Sequence, residues 1–75
     1  MTDQKPRGPK KAFRFDPDKL RDARVAAGLT QARLAEKAGL EDSSITRSEA
    51  GDAMAWATVK AISNALGRPF EELRG

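Results

Sequence analysis

The sequence predicts an all-α fold, a compact bundle of five short helices that follows a basic N-terminal arm. Glycines divide residues 13–75 into helix-length segments, and apolar side chains recur within them at three- and four-residue spacing. The one alternation typical of a strand, Phe13-Arg14-Phe15, is too short to form a strand alone. Seventy-five residues allow one domain with a small core, because a chain of this size buries only about 60% of its unfolded surface.

The arm comprises residues 1–12 and the domain comprises residues 13–75. The arm has almost no apolar side chains, so we predict that it is disordered when free. Up to Arg14 the chain has five basic residues and one acidic residue, a net charge of +4, whereas the remainder has nine basic and ten acidic residues, a net charge of −1. Such a tail is typical of nucleic-acid-binding proteins, although it can also be a solvated extension. We expect four arm residues to contact the DNA backbone or minor groove: Lys5, Arg7, Lys10 and Lys11.

The composition excludes several classes of function. The absence of Cys and His excludes a disulfide framework, a zinc site and thiol or imidazole catalysis. Ser43, Ser44 and Glu49 lack a partner base, so we predict no enzymatic activity, no cofactor and no bound metal. No segment approaches the roughly 18 apolar residues of a membrane span, and the N-terminus lacks the apolar centre of a signal peptide. We therefore expect a cytoplasmic protein that does not contact membranes.

The first two helices have clear start and stop signals. Residues 16–18, Asp-Pro-Asp, supply an N-cap carboxylate, a proline at the first helical position and an acid near the positive end of the helix dipole. The first helix is predicted to run to about Ala27 and to end at Gly28. Thr30 caps the second helix, which is short and ends before Gly39.

Three further helices follow. The third begins near Asp42 and ends with Gly51 at the position after its C-cap; the fourth covers residues 57–66 and is closed by Gly67. Residues 68–73 form a last single turn, with proline at its first position and acids behind it. We expect the following large side chains to form the core: Leu20, Val25, Leu29, Leu34, Leu40, Ile45, Trp56, Val59, Ile62, Leu66, Phe70 and Leu73.

The most informative segment is residues 31–50, where two short helices are joined by residues 39–41. A three- to four-residue turn containing glycine holds two helices at roughly 90–120°, so that the second can protrude into a groove. Gly39 suits the left-handed conformation that this turn requires, and the small Ala35 lets the helices approach closely. The turn is predicted to rest on an apolar wedge formed by Leu34, Ala38, Leu40 and Ile45.

Short sequence words along the chain occur in an order and spacing that together are specific. These words are Leu20-Arg21-Asp22-Ala23-Arg24, Gly28-Leu29-Thr30-Gln31, Leu34-Ala35, Ala38-Gly39-Leu40, Ser44-Ile45, Arg47, Glu49, Gly51 and Ala65-Leu66-Gly67. From about Phe15 to Leu73 the chain resembles the phage-repressor type of helix-turn-helix, also called the Cro-like or xenobiotic-response-element family. The resemblance implies a DNA-binding regulator of bacterial or phage origin.

The resemblance also implies roles for individual residues. In such a protein the third helix, residues 42–50, enters the major groove as the recognition helix. Arg24 and Glu49 correspond to an internal ion pair between the first and third helices, which we interpret as structural. Residues implied to contact the DNA backbone are Gln31 and Ser44, to which we add Arg33 on the second helix. Residues implied to face the bases are Asp42, Ser43, Thr46 and Arg47.

Two of these side chains have alternative interpretations on chemical grounds. Arg47 can pair bidentately with guanine O6 and N7, worth about 1–3 kcal/mol of discrimination, or can contact a phosphate instead. Asp42 can accept a hydrogen bond from cytosine N4 or can cap its own helix. Glu41 is a turn residue or the cap itself.

The sequence departs from the family pattern in three places. The recognition helix opens with two acids, Glu41 and Asp42, which are unfavourable near phosphates. The loop 52–54, Asp-Ala-Met, lacks the basic residues that relatives usually carry. Ser48 replaces an apolar side chain, leaving either a gap or a hydrogen-bonded hydroxyl in the wedge. We therefore expect the arm to supply positive charge, either as a loose phosphate contact or like an AT-hook, which it resembles without the second arginine.

Two functions are compatible with these patterns. The first is a sequence-specific transcriptional regulator of double-stranded DNA, a repressor, which as a homodimer would bind half-sites about 34–36 Å apart. The second is a protein-interaction module of the same fold, such as an antitoxin that binds a partner protein. Trp56, Met54, Phe70 and Leu73 are expected to complete the core, with a dimer contact as the alternative for the aromatic residues and Leu73.

Overall fold

The computed structural model describes residues 12–75, and our expectation of a disordered arm concerns residues that lie, except for Ala12, outside that range. Within the described part the fold is all-α and contains five helices, as predicted. Their bounds are α1 (Pro17–Ala26), α2 (Gln31–Ala38), α3 (Asp42–Glu49), α4 (Trp56–Leu66) and α5 (Phe70–Leu73).

The starts of α1 and α2 follow from their capping residues. The Asp16 carboxylate accepts a hydrogen bond from the Lys19 amide at 3.0 Å, and Pro17 occupies the first helical position. The Thr30 hydroxyl accepts from the Arg33 amide at 3.1 Å. Each bond satisfies an amide that has no partner inside its own helix, which confirms both predicted starts.

The core lies where all the helices meet. Fully buried large side chains come from the segment before α1 and from every helix: Phe15, Leu20, Leu34, Ile45, Val59, Ile62 and Leu73. Half-buried apolar residues pack around them: Phe13, Leu29, Ala38, Leu40, Leu66 and Phe70.

Two expected core residues are not buried, and one buried residue, Phe15, was not expected. Val25 is 62% exposed because it lies on the opposite side of α1 from Leu20 and Ala23, which hold the helix to the core. Trp56 is 47% exposed. Phe15 and Met54, by contrast, are buried. Their burial depends on contacts between distant parts of the chain and has no local periodicity.

Residues 13–16, which we call the strap, connect two distant segments. Phe13 and Met54 exchange both backbone hydrogen bonds, at 2.9 and 2.7 Å, and the Asp16 amide donates to the Leu73 carbonyl at 2.8 Å. The alternating sequence of the strap therefore does not form a strand alone, in agreement with its length. Instead, the strap ties the loop after α3 to the C-terminal end of the chain.

An aromatic cluster fastens the strap to α4 and α5. The ring of Phe13 lies 5.1 Å from that of Trp56 and 5.9 Å from that of Phe70, measured between centroids. Phe15 meets Phe70 edge to face at 5.3 Å. Such geometries contribute about 0.5–1.5 kcal/mol per pair beyond area burial. Phe70 thus packs inside the molecule, as expected, whereas Trp56 contacts Phe13 and Phe70 and remains partly in solvent.

Candidate nucleic-acid interface

A glycine turn separates α2 from α3. Gly39 has a left-handed backbone conformation with φ +73°, and the Leu40 amide donates to the Ala35 carbonyl at 2.8 Å. This bond satisfies a carbonyl at the end of α2, and the left-handed glycine ends the helix. Beneath the turn, Leu34 and Ile45 are fully buried. The two helices are therefore distinct, and α3 is held against the core by its inner face.

The outer face of α3 is open to solvent. Its four side chains expected to face the bases, Asp42, Ser43, Thr46 and Arg47, are all exposed, whereas Ser44 is half-buried. The exposed residues come from successive turns of one helix, so they form a single polar surface. Arg33 is exposed on α2 and pairs weakly with Glu36 at 3.9 Å.

The first turn of α3 has no side-chain cap. Glu41 occupies the N-cap position, but its carboxylate makes no capping bond, and Asp42 is already the first helical residue. Glu41 is therefore the cap residue by position, one of the two interpretations given for it, although its carboxylate accepts no capping hydrogen bond, whereas the alternative in which Asp42 caps the helix is wrong. Asp42 still lies near the positive end of the helix dipole, which stabilises its charge without occupying its oxygens.

A half-buried ion pair connects α1 to the inner face of α3. The Arg24 guanidinium contacts the Glu49 carboxylate through Nε and, at 3.3 Å, through Nη2. Its Nη1 donates to the Leu29 carbonyl at 2.9 Å. The two side chains are only 14% and 8% exposed. The pair expected from the sequence is thus formed in the fold, and it also positions the turn before α2.

Gln31 extends this ion pair to the outer face of α3. Its side-chain Nε2 donates to Glu49 Oε1 at 3.1 Å, and its Oε1 lies 3.3 Å from the Thr46 hydroxyl, whose single proton is shared with the Asp42 carbonyl at 3.2 Å. One Nε2 hydrogen remains free for an external acceptor. This network was not predicted from the sequence, because Gln31 was expected to contact a phosphate and Thr46 was expected to contact a base. The one indication in the sequence was that α2 begins with a polar residue, Gln31, and that α3 ends with another, Glu49.

A second ion pair lies at the C-terminal end of α3. Arg47 Nε is 3.5 Å from the Asp52 carboxylate, and both side chains are mostly exposed. The terminal nitrogens of Arg47 have no partner among residues 12–75 in this arrangement. From the sequence, the loop that contains Asp52 was described only as lacking the basic residues of its relatives. The ion pair between Asp52 and Arg47 was not expected.

Arg14 of the strap reaches the same end of α3. Its Nη1 donates to the Gly51 carbonyl at 3.2 Å, and the side chain is exposed. From the sequence, Arg14 was counted with the basic residues of the arm, and no role was predicted for it. The arm residues expected to contact the DNA backbone, Lys5, Arg7, Lys10 and Lys11, lie outside the described residues.

The inner face of α3 contains a buried hydroxyl. Ser48 is fully buried, and its Oγ has no hydrogen-bond partner in the described part of the chain. Of the two alternatives for this position, the hydrogen-bonded hydroxyl is therefore wrong. A buried hydroxyl without a partner is destabilising, because its desolvation is not offset.

Other kinds of site find no support between residues 12 and 75. Over this range no helix is long and apolar enough to cross a membrane. Nor does it contain a group of three or more acidic side chains placed to hold a metal ion.

Two short helices joined by a glycine turn, the second with a buried inner face and an open polar outer face, define a helix-turn-helix module. The comparison with family models agrees: residues 18–74 match the model described as a helix-turn-helix domain. This chain belongs to that helix-turn-helix family, which indicates a DNA-binding regulator. The match covers all five helices except Pro17, the first residue of α1, and begins after the strap. A search of curated proteins finds no match to the chain.

Proposed function

We propose that this protein is a sequence-specific transcriptional regulator, a repressor, that inserts α3 into the major groove of double-stranded DNA. The observation that carries the proposal is the outer face of α3, on which Asp42, Ser43, Thr46 and Arg47 are exposed together. The wedge under the turn and the Arg24–Glu49 pair hold this face in one orientation. A rigid support of this kind is what base recognition requires.

The dimensions of α3 suit the groove. An α-helix with its side chains is about 10–12 Å across, and the major groove, about 12 Å wide, admits one. Arg47 supplies a planar fork for guanine, and Asp42 supplies an acceptor for the amino group of cytosine. Ser43 and Thr46 can donate to or accept from either kind of base edge. The polar surface therefore has the donors and acceptors that direct readout uses.

Contacts to the DNA backbone would set the orientation of the helix. Gln31 lies at the N-terminus of α2, where free backbone amides and its remaining Nε2 hydrogen favour a phosphate. Arg33 and Ser44 flank the same surface. Since the chain from Phe15 onward has a net charge of −1, much of the electrostatic affinity is assigned to the basic arm.

A DNA titration tests this proposal. The full chain is titrated against a duplex from the region upstream of its own gene and against a scrambled duplex, at several salt concentrations. A specific regulator should prefer its site by at least about 10³. An equal affinity for both duplexes at every salt concentration contradicts sequence-specific recognition. Repression is checked by transcription in vitro from the preferred duplex, where addition of the protein should reduce transcript yield.

Deletion of residues 1–12 tests the arm separately, because it leaves the strap intact. We expect weaker binding and a salt slope that is shallower by up to about 3.6, which corresponds to four lost phosphate contacts. Helical content, measured by circular dichroism, should not change. An unchanged salt slope contradicts a role for the arm in DNA binding and supports a solvated tail.

The alternative function is a protein-interaction module, such as an antitoxin that binds a partner protein. The exposed carboxylates of Glu41 and Asp42, neither of which caps α3, favour a basic partner at this end of the helix. If the protein binds no DNA even at low salt, this alternative function remains. Glu41→Gln combined with Asp42→Asn should then abolish binding of that partner.

A further inference from the structure

We propose that Arg14 is a DNA-backbone contact, and that the strap replaces the basic loop that this chain lacks after its recognition helix. The proposal rests on the proposed function, since it concerns the same DNA complex. It extends that function beyond the residues of α2 and α3. It assigns a role to a segment that lies outside the matched family region.

The first argument is the position of the Arg14 side chain. One guanidinium nitrogen donates to the carbonyl of Gly51, directly after the C-cap of α3. A recognition helix lies in the major groove with its N-terminal residues at the base edges, so its C-terminal end lies farther from the bases and nearer the groove edge. The phosphates run along that edge. Arg14 is therefore held where a phosphate contact would be made.

The second argument is the unused hydrogen-bonding capacity of this guanidinium. An arginine has five N–H donors, of which Arg14 uses one in the described structure. The side chain is exposed and forms no ion pair within residues 12–75. Its remaining donors form a planar fork that matches the oxygens of a phosphate.

The third argument is the local charge. In the loop after α3, Asp52 pairs with Arg47, so the two side chains largely neutralise each other. Without Arg14 this end of the recognition helix would present no net positive charge to the backbone. With Arg14, this end of α3 presents one net positive charge, at the place where the loop itself carries the acid Asp52.

The fourth argument is that the backbone on both sides of Arg14 is fixed. Phe13 is hydrogen-bonded twice to Met54, and Phe15 is fully buried. Little backbone entropy is therefore lost when Arg14 binds a phosphate.

A purely structural role for Arg14 would be to satisfy the carbonyl at the end of α3. The two roles differ in their dependence on salt. A capping contact changes the stability of the free protein but not the number of counterions released from DNA. A phosphate contact changes that number by about one.

The test uses the full chain, the duplex that it prefers and a scrambled duplex, with binding measured by fluorescence anisotropy over a range of salt. For Arg14→Ala we expect a salt slope shallower by about 0.9 and an affinity lower by about tenfold at low salt, equally for both duplexes. Arg14→Lys should keep the slope. The matched control is Arg68→Ala, which removes an exposed arginine beside α5, on a surface formed with α1. It should change the slope by much less.

The outcomes separate the two proposals. If wild-type protein binds its site specifically but Arg14→Ala keeps the wild-type slope, Arg14 only caps α3 and the inference is overturned. An equal loss of slope in Arg14→Ala and Arg68→Ala also overturns it, because the effect would then be one of net charge. If wild-type protein binds no DNA at low salt, the proposed function itself fails. Urea unfolding of each variant verifies that the compared proteins are folded.

Discussion

The inner and outer faces of α3 are built in opposite ways. On the inner face, Ile45 and Ser48 are fully buried, and Glu49 forms a half-buried ion pair with Arg24. On the outer face, the side chains are exposed and their one ion pair, to Asp52, is open to solvent. Removing one partner of a buried ion pair typically costs several times more than removing one partner of an exposed pair, so one short helix combines a stable support with a replaceable surface.

This contrast predicts that substitutions on the two faces change different measurable quantities. Inner-face changes should alter the free energy of unfolding, and outer-face changes should alter DNA binding. Thr46 and Gln31 are the exception, because their hydrogen bonds join the outer face to Glu49.

The largest effect is expected for Glu49→Ala on the inner face. This change leaves the Arg24 guanidinium half-buried without its carboxylate, which typically costs about 3–5 kcal/mol. Urea or thermal unfolding monitored by circular dichroism measures the loss. Glu36→Ala is the control, because its pair with Arg33 is long and exposed, and it should cost less than about 1 kcal/mol. Similar losses in both variants would contradict the contrast.

Removal of both charges sharpens this first prediction. Arg24→Met combined with Glu49→Leu should be more stable than Glu49→Ala, because no unpaired charge remains. If the double variant is less stable than the single one, the carboxylate stabilises the fold through Gln31 as well.

The next largest effect is expected for Arg47→Ala on the outer face. Discrimination between the preferred and scrambled duplexes should fall by about 1–3 kcal/mol if Arg47 reads a guanine. The free energy of unfolding should change by no more than about 0.5 kcal/mol, as is usual for surface positions. A uniform loss of affinity for both duplexes would instead identify Arg47 as a phosphate contact, the result expected for Arg33→Ala.

A smaller effect of opposite sign is expected for Ser48→Ala on the inner face. The substitution removes a buried hydroxyl without a partner and improves helix propensity, so the protein should gain about 1 kcal/mol of stability. The control Ser43→Ala, in the same helix but exposed, should gain only about 0.5 kcal/mol. A stability loss in Ser48→Ala would indicate that the hydroxyl fills space that Ala leaves empty.

The smallest effect is expected for Asp52→Asn beside the outer face. The change removes a negative charge near the backbone and frees Arg47, so affinity for both duplexes should rise about two- to threefold. Stability should scarcely change, because the pair is exposed. Fluorescence anisotropy measures the gain, and weaker binding of this variant would show that Asp52 orients Arg47 productively.

Much of the fold could be predicted because its signals are local. Asp16, Pro17 and Thr30 start helices through contacts within one turn, and Gly39 ends one through its own backbone conformation. The exposure of α3's outer residues also followed from helical periodicity. The Val25 prediction failed because it considered hydrophobicity without helical position.

Most of the missed features involve residues distant in sequence, and the Arg47–Asp52 pair is the exception. The burial of Phe15, the bond from Arg14 to Gly51 and the link from Gln31 to Glu49 each join parts of the chain that local patterns do not relate. Such contacts form only when the helices have packed and their loop-closure entropy has been offset.

By itself the amino-acid sequence determined the number of helices, their ends and the polar character of the outer face of α3. These properties depend on backbone conformation and on side-chain spacing within a few residues. Only the tertiary structure decided that the strap joins the loop after α3 to α5, and that Arg14 lies beside Gly51. The physical reason is that a short alternating segment has no stable partner of its own. The Met54 and Leu73 backbones become available to it only once the bundle has formed.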